Sequence, residues 1–329
     1  MSLAYPAVFG RGGTVSCAAA PYKEKVIPVV NDVRARARGA MYGQIIGDNL
    51  GALVEFCYPD EIARMYPDGV RELTGGGPFG VAPGQATDDS ELAFALARSL
   101  ARNRGFDADD VRESYRRWAA SHPFDIGNTC AMALRYPYEP NAEAQSNGAL
   151  MRVSPLAIAY FADPDRAAEH ARTDALMTHP NDYTVAVNGA YVGALARVIG
   201  GADPVAALKE SAGDLREQVE DFIASRPTDV ASSKIGWVRY AFNLTCYHAA
   251  HGASFEESLV EIVGMGGDTD TNAAIAGAFL GAIHGEDGIP ARWRDVIDAY
   301  RTSDAHRPAE FSTEGALSLI DELLPISAP

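Results

Sequence analysis

The chain has 329 residues, 47% hydrophobic and 22% charged, which is the composition of a folded globular protein with room for one large core or two small ones. Its formal net charge of −16 argues against wrapping a nucleic-acid backbone or resting on an anionic membrane, and it supplies many carboxylates for hard cations. No run of about 18 apolar residues lacks polar interruption, so no membrane span is expected.

Residues 1–24, MSLAYPAVFGRGGTVSCAAAPYKE, lack the basic-then-apolar order of a signal peptide and read as a loose tail, leaving 25–329 as the folded unit. Cys17, Cys57, Cys130 and Cys246 are widely spaced and form no CxxC pair, so they read as free thiols of a reducing cytoplasm. Strand signals are scarce. Ala-rich segments with helical periodicity recur instead, at 31–56, 88–103, 107–120, 127–134, 148–161, 164–176, 181–200, 203–210, 214–224, 235–251, 255–262, 271–284, 291–300 and 313–323. Short Gly, Pro, Asn or Asp punctuation separates them, such as the GG stop at 200–201. With no fixed-period repeat and no low-complexity linker, one all-α domain is expected.

The first of these segments, GAMYGQIIGDNLGALVEF (39–56), places Gly39, Gly43, Gly47 and Gly51 four residues apart. Gly277, Gly281 and Gly285 repeat the device near the C-terminus. Each Gly costs roughly 1 kcal/mol against Ala in a helix interior, so seven of them need an offsetting gain. Bare backbone along one stripe lets a neighbouring helix approach closely. Tight packing alone would explain that, and so would packing that positions the acids beside the stripe, Asp48 and Glu55.

Polar clusters then follow in chain order. GGGPFG (75–80) offers Gly75, Gly76 and Gly77 with backbone N–H groups free to meet an anion, but lacks the Lys-Ser/Thr of a P-loop. In PGQATDDSELAFALARSL (83–100), Thr87, Asp88 and Asp89 open an apolar-periodic helix; Asp88 with Glu91 also fits a capping box. SHPFDIGNT (121–129) sets Asp125 before a helix start, where a turn-and-cap role competes with a functional one. In EAQSNGALMRVSP (143–155), Gln145, Ser146, Asn147 and Gly148 precede another helix, as either an ordinary N-cap or a phosphate cradle. His179, in MTHPND, is a lone loop histidine of the kind that usually decorates a surface.

The stretch GGDTDTNAAIAGAFLGAIHG (266–285) reads as an apolar helix from Asn272, opened by Asp268, Thr269, Asp270 and Thr271. One N-cap accounts for one acid and leaves the second acid and both threonines unexplained. If this mouth met the Thr87–Asp89 mouth, four carboxylates would repel, and helix dipoles would offset only about 0.3–1 kcal/mol each. One or two divalent cations would resolve the conflict, and carboxylate, hydroxyl and water oxygens favour Mg²⁺ or Mn²⁺ over zinc.

These stretches, in this order, resemble the ADP-ribosylglycohydrolase family of the dinitrogenase-reductase-activating type, through GAMYGQIIGDNLGALVEF, GGGPFGVAPGQATDDSELAFALARSL, HPFDIGNTC, SNGALMRVSPLAIAY, THPNDYTVAVNGA and the segment from Ser254 to Trp293. The resemblance runs from about residue 36 to 295. It implies a single compact orthogonal helical bundle with a binuclear Mg²⁺ or Mn²⁺ centre. Thr87, Asp88 and Asp89 match one group of metal ligands, and Asp268, Asp270 and Thr271 match the other, with Asp270 bridging. Glu55 matches the acid over the scissile bond. Gly75 to Gly77, Ser146, Asn147, Gly148, Met151 and His179 match loops that hold ADP-ribose, and Asp125 matches an acid near the distal ribose or the leaving group. The implied reaction is hydrolysis of the bond between C1″ of ADP-ribose and an acceptor, with arginine-linked ADP-ribose on a protein as first choice. Serine linkage, a small ADP-ribose conjugate, or a non-catalytic ADP-ribose-binding relative stand as alternatives. The cysteines and the net charge point to a cytoplasmic protein with no nucleic-acid partner, and a monomer is expected.

Overall fold

The computed structural model describes residues 32–232, 234–302 and 307–327; the tail expected at 1–24 and Cys17 lie outside the described residues. The described residues form fifteen α-helices: α1 (Val33–Gly51), α2 (Pro59–Met65), α3 (Asp88–Asn103), α4 (Ala108–Ala120), α5 (Asn128–Leu134), α6 (Ser154–Ala159), α7 (Pro164–Leu176), α8 (Asp182–Ile199), α9 (Pro204–Ser211), α10 (Arg216–Ala224), α11 (Val238–His251), α12 (Phe255–Gly264), α13 (Thr269–His284), α14 (Ala291–Ala299) and α15 (Ala316–Leu323). Among them no strand forms, and the only β pairings are the isolated bridges Gly76–Val81 and Ser146–Trp237. The all-α expectation therefore stands. No helix of the described residues is long and apolar enough to cross a membrane.

Helix α13 is the axis of the core. Every residue from Thr269 to Ile283 is buried, and α1, α8, α11 and α12 pack around it. Its partnership with α1 rests on the glycine stripes. A methyl group added at Gly43 would fall 2.0 Å from the Gly277 carbonyl oxygen, and one at Gly281 would fall 2.0 Å from that of Gly39. One at Gly47 would fall 2.1 Å from the Ala273 carbonyl oxygen, and one at Gly51 2.4 Å from the Asp270 Cα. Since numbering rises on α1 as it falls on α13, the two run antiparallel, and the C-terminus of α1 meets the N-terminus of α13.

Three segments differ from the periodicity. The helix expected over 31–56 stops at Gly51, because the residues beyond it bond elsewhere: the Phe56 N–H donates to the Gly267 carbonyl at 2.8 Å. The segment 148–161 splits into a 3-10 turn, Asn147–Arg152, and α6. Pro155 lacks an N–H and sits in the first turn of α6, where a helix can start but not continue. Helix α2 had no apolar periodicity to announce it; its signals are Pro59 at the start and Asp60 and Glu61 in the first turn.

The seam between α1 and α13 makes a direct prediction. Gly43→Ala should lower stability by about 1–3 kcal/mol or more, since both sides of the clash are backbone and cannot rotate away. Gly264→Ala, where an added methyl meets nothing within 4 Å, should leave stability unchanged or raised. Urea unfolding midpoints of the two variants against the parent check this.

Candidate active site

The mouth of α3 is capped from outside. Asp48, on α1, accepts the Thr87 N–H at 3.0 Å, the Thr87 hydroxyl at 3.0 Å and the Ser90 N–H at 3.1 Å. Neither Thr87 nor Asp88 makes a capping bond of its own. Glu91, which a capping box would turn back towards the helix start, instead accepts from Arg307 at 2.7 Å and from the Trp118 indole at 2.7 Å. The capping alternative for this stretch is thereby overturned. A carboxylate borrowed from α1 serves the orphan N–H groups, so Asp88 and Asp89 are released. Asp88 accepts the Gly127 N–H at 3.3 Å and lines a cleft. Asp89 is fully buried; one oxygen meets the Thr87 hydroxyl at 2.9 Å and the other, Oδ1, has no partner.

The mouth of α13 is assembled by a latch. Gly266 and Gly267 have φ of 71° and 82°, which only glycine adopts freely. The Gly267 N–H donates to the Cys57 carbonyl at 3.0 Å while its own carbonyl accepts from Phe56. The turn after α1 is thus tied to the loop before α13. It brings Glu55 beside Asp268 and Asp270, so that one carboxylate oxygen from each lies within 4.8 Å of the others, all three residues buried. The α13 start at Thr269, earlier than its apolar run suggests, puts Asp270 in the first turn. Asp268 accepts the Asn147 amide at 2.7 Å, and Asp270 accepts the Thr271 N–H at 2.8 Å. Glu55 Oε2 has no partner.

These carboxylates hold one another's proton affinity up. Burial, then the charges of Asp125 and Asp268, push Glu55 up to about 9. Burial, then Asp268 and Asp48, push Asp125 up to about 7. Asp88, Asp89 and Asp270 are raised well above the usual range, first by burial and then by neighbouring acids. Asp48 is pushed up to about 6 by burial, held back by the hydrogen bonds it receives. A buried all-oxygen donor set with unpartnered oxygens on Glu55 and Asp89 fits a hard dication such as Mg²⁺ or Mn²⁺.

The cleft itself is about 340 Å³. Of the residues expected at the site, Glu55, Asp88, Asp125, Ser146, Asn147, Gly148, Met151, His179, Asp268, Asp270 and Thr271 line it. Thr87 and Asp89 lie buried behind the wall. Gly75, Gly76 and Gly77 are not in the lining; Gly77 instead backs onto the turn after α1, where a methyl would fall 1.9 Å from the Ala52 carbonyl oxygen. Ser146 stands at the N-cap position of the 3-10 turn but makes no capping bond, and Asp125 does not cap α5, whose N-cap position is held by Gly127.

His179 is not surface decoration. It is fully buried, its Nε2 is 2.8 Å from the Ser146 hydroxyl and its Nδ1 2.8 Å from the Thr178 hydroxyl. Arg152 donates to the Thr178 hydroxyl at 2.9 Å and to Asp174 at 2.9 Å, and that ion pair is wholly buried. With Arg152 feeding Thr178, the Thr178 proton points to Nδ1 and the ring N–H to Ser146, whose own proton then reaches Thr129 at 3.0 Å. Burial, then the Arg152 charge, lower His179 to about 3, so the ring is neutral. Arg152, Thr178, Thr129 and Phe56 are the participants the sequence did not single out. An arginine inside the apolar run ALMRVSPLAIA was the available signal for Arg152; nothing local marked the others.

Residues 30–323 match the ADP-ribosylglycohydrolase family profile. The chain is 36% identical to the ADP-ribosyl-[dinitrogen reductase] glycohydrolase of Rhodospirillum rubrum, over 82% of this chain and 92% of that one. It is 27% identical to the ADP-ribosylarginine hydrolase Tri1 of Serratia proteamaculans, over 80% and 75% respectively. A solved structure, an ADP-ribosylglycohydrolase-related protein complex, superposes with a TM-score of 0.72 at 31% identity, covering 90% of this chain and 99% of that one.

The cluster predicts a pH dependence with a definite sign. A carboxyl whose folded pKa exceeds its unfolded value favours folding in its neutral form, so that contribution is full at acid pH and drains as pH rises. In EDTA the melting temperature should fall as pH rises from 4.5 towards about 9, the span between the ordinary and the folded value for Glu55. Added Mn²⁺ should flatten that slope. Differential scanning calorimetry across the range, with and without the ion, reads the difference.

Proposed function

Given that the chain belongs to the ADP-ribosylglycohydrolase family, we propose that it is a metal-dependent hydrolase that removes ADP-ribose from modified arginine side chains of proteins. The observation that carries the reading is the buried Glu55–Asp268–Asp270 carboxylate group on the cleft wall, with Glu55 Oε2 unpartnered. The arginine linkage takes its support from the Serratia relative, an ADP-ribosylarginine hydrolase, and from a cleft lined by carboxylates, which suits a guanidinium. The unpaired Cys57, Cys130 and Cys246 support a reducing compartment such as the cytoplasm.

In this reading Asp268, Asp270 and Thr271 from one helix mouth, and Thr87, Asp88 and Asp89 from the other, hold two Mg²⁺ or Mn²⁺ ions. Such ions, when bound, lower the pKa of water and orient the ribose 2″ and 3″ hydroxyls. The chain's own groups do the rest. Breaking the C1″ bond develops oxocarbenium character, which the surrounding carboxylates stabilise. Glu55 sits beside Asp268 and Asp270, and its unpartnered Oε2 is the group that would direct the attacking water or take its proton. The neutral His179 fixes the Ser146 hydroxyl, and Asn147 is fixed by Asp268, so the wall that holds ADP-ribose is set before substrate arrives. Gly148 and Met151 shape the same wall, while the Gly75 to Gly77 loop, outside the lining, backs the turn after α1 through Gly77. Asp125 faces the leaving group.

The deciding assay offers ADP-ribosylated arginine peptide, ADP-ribosylated serine peptide and O-acetyl-ADP-ribose with Mg²⁺, Mn²⁺ or EDTA. Release of ADP-ribose from the arginine peptide, dependent on metal, is expected; no release from any substrate under any metal sinks the hydrolase reading. Asp270→Asn should abolish release and weaken Mn²⁺ binding by calorimetry. Glu55→Gln should lower kcat by about 10²–10⁴-fold while ADP-ribose binding stays largely intact.

A further inference from the structure

Phe56 lines the cleft beside Glu55, while Phe124 and Phe79, on the loops that carry Asp125 and Gly77, pack on each other outside its lining. Phe56 follows Glu55, lines the cleft and is 53% exposed. Its φ of 63° is a backbone state that side-chain-bearing residues rarely adopt, and the latch to Gly267 holds it there. Phe124 precedes Asp125, is 37% exposed, and packs on Phe79 with ring centroids 5.8 Å apart. The close approach of Gly77 to Ala52 brings the loop that carries Phe79 onto the turn that carries Phe56.

Two features of this corner need an occupant. The Phe56 and Phe124 rings face water where burial would be favourable, and the strained backbone at Phe56 points to use. Beside them Glu55, only 5% exposed, keeps an oxygen with no partner. Ring faces carry negative potential, and a cation arriving beside Asp125 and Glu55 would offset the neighbouring charges that hold their protons on, so the corner suits a cation. A planar, weakly hydrated guanidinium stacks on rings and meets carboxylates better than an ammonium does. A hydroxyl acceptor would gain little here.

We propose that Phe56 and the Phe79–Phe124 pair form, with Asp125, the slot that receives the acceptor guanidinium, and that these rings set the preference for arginine-linked over serine-linked substrate. This rests on the arginine reading given above.

The test compares the parent with Phe56→Leu and Phe124→Leu, and with Phe56→Tyr and Phe124→Tyr, which keep a ring. Each is assayed on ADP-ribosylated arginine peptide in Mn²⁺, with agmatine and ADP-ribose as competing inhibitors. The Leu variants should raise KM for the peptide and Ki for agmatine by about 3- to 30-fold, the range expected for losing a cation–π contact. Ki for ADP-ribose should not move, and the Tyr variants should behave as the parent. Unchanged agmatine inhibition in both Leu variants, in a protein that cleaves the arginine peptide, overturns the slot and leaves the arginine reading standing. An equal rise for ADP-ribose and agmatine also overturns it, since the rings would then hold the nucleotide. A parent that cleaves only another linkage removes both. The two positions lie on different loops, so loss of fold in one variant leaves the other to decide.

Discussion

The contact between the backbones of α1 and α13 governs the rest of the structure. With glycine facing glycine or carbonyl along the seam, the two helices lie closer than any pair bearing side chains could. That closeness ends at Gly51 against Asp270, where one helix stops and the other begins. The Phe56–Gly267–Cys57 exchange then fixes the turn after α1. Glu55 has no freedom to withdraw from Asp268 and Asp270, although like charges would separate if they could. The cost of glycine in two helices is offset by a site that packing, and not charge, holds together.

Electrostatics divides the acids into two kinds. Asp48 is surrounded by donors from the start of α3 and acts as that helix's cap. Its position on α1 frees the acids of α3 from the duty their sequence suggested. Glu55 and Asp89 keep oxygens without donors, and Asp88 has a long bond from Gly127 and a side-chain bond with Asp125. Two helix N-termini face this group, yet their dipoles contribute only about 0.3–1 kcal/mol each, against a desolvation cost of several kcal/mol per buried ion. A dication would meet that deficit with the oxygen ligands on hand.

Much of this was legible in the residues. The four-residue glycine spacing announced a close helix contact, and the oxygen-rich openings of α3 and α13 announced two acidic mouths, because both features are local and chemically unusual. Helix ends were less legible. The run 39–56 stays apolar past Gly51, but beyond it the chain turns, with Val54 bonding to Gly51 and Phe56 to Gly267, more than two hundred residues away. Capping is where local reading failed: Asp88 and Glu91 have the right spacing, but Asp48 and Arg307 arrive from elsewhere and take both partners. His179 looked superficial for the same reason, since Ser146 reaches it, and Arg152 reaches the neighbouring Thr178, only once α7 and the 3-10 turn have packed. Phe56 carried no signal, because an exposed aromatic in a strained turn has no pattern in one dimension.

The central claim is that packing forces these acids into a cage for hard dications. A crystal soaked in Mn²⁺ and measured at the manganese absorption edge tests it most directly. The account predicts anomalous peaks between the start of α3 and the start of α13, within ligand distance of Asp88, Asp89, Asp268 and Asp270. Manganese bound only elsewhere on the surface, with those carboxylates protonated and bonded to each other, would contradict it.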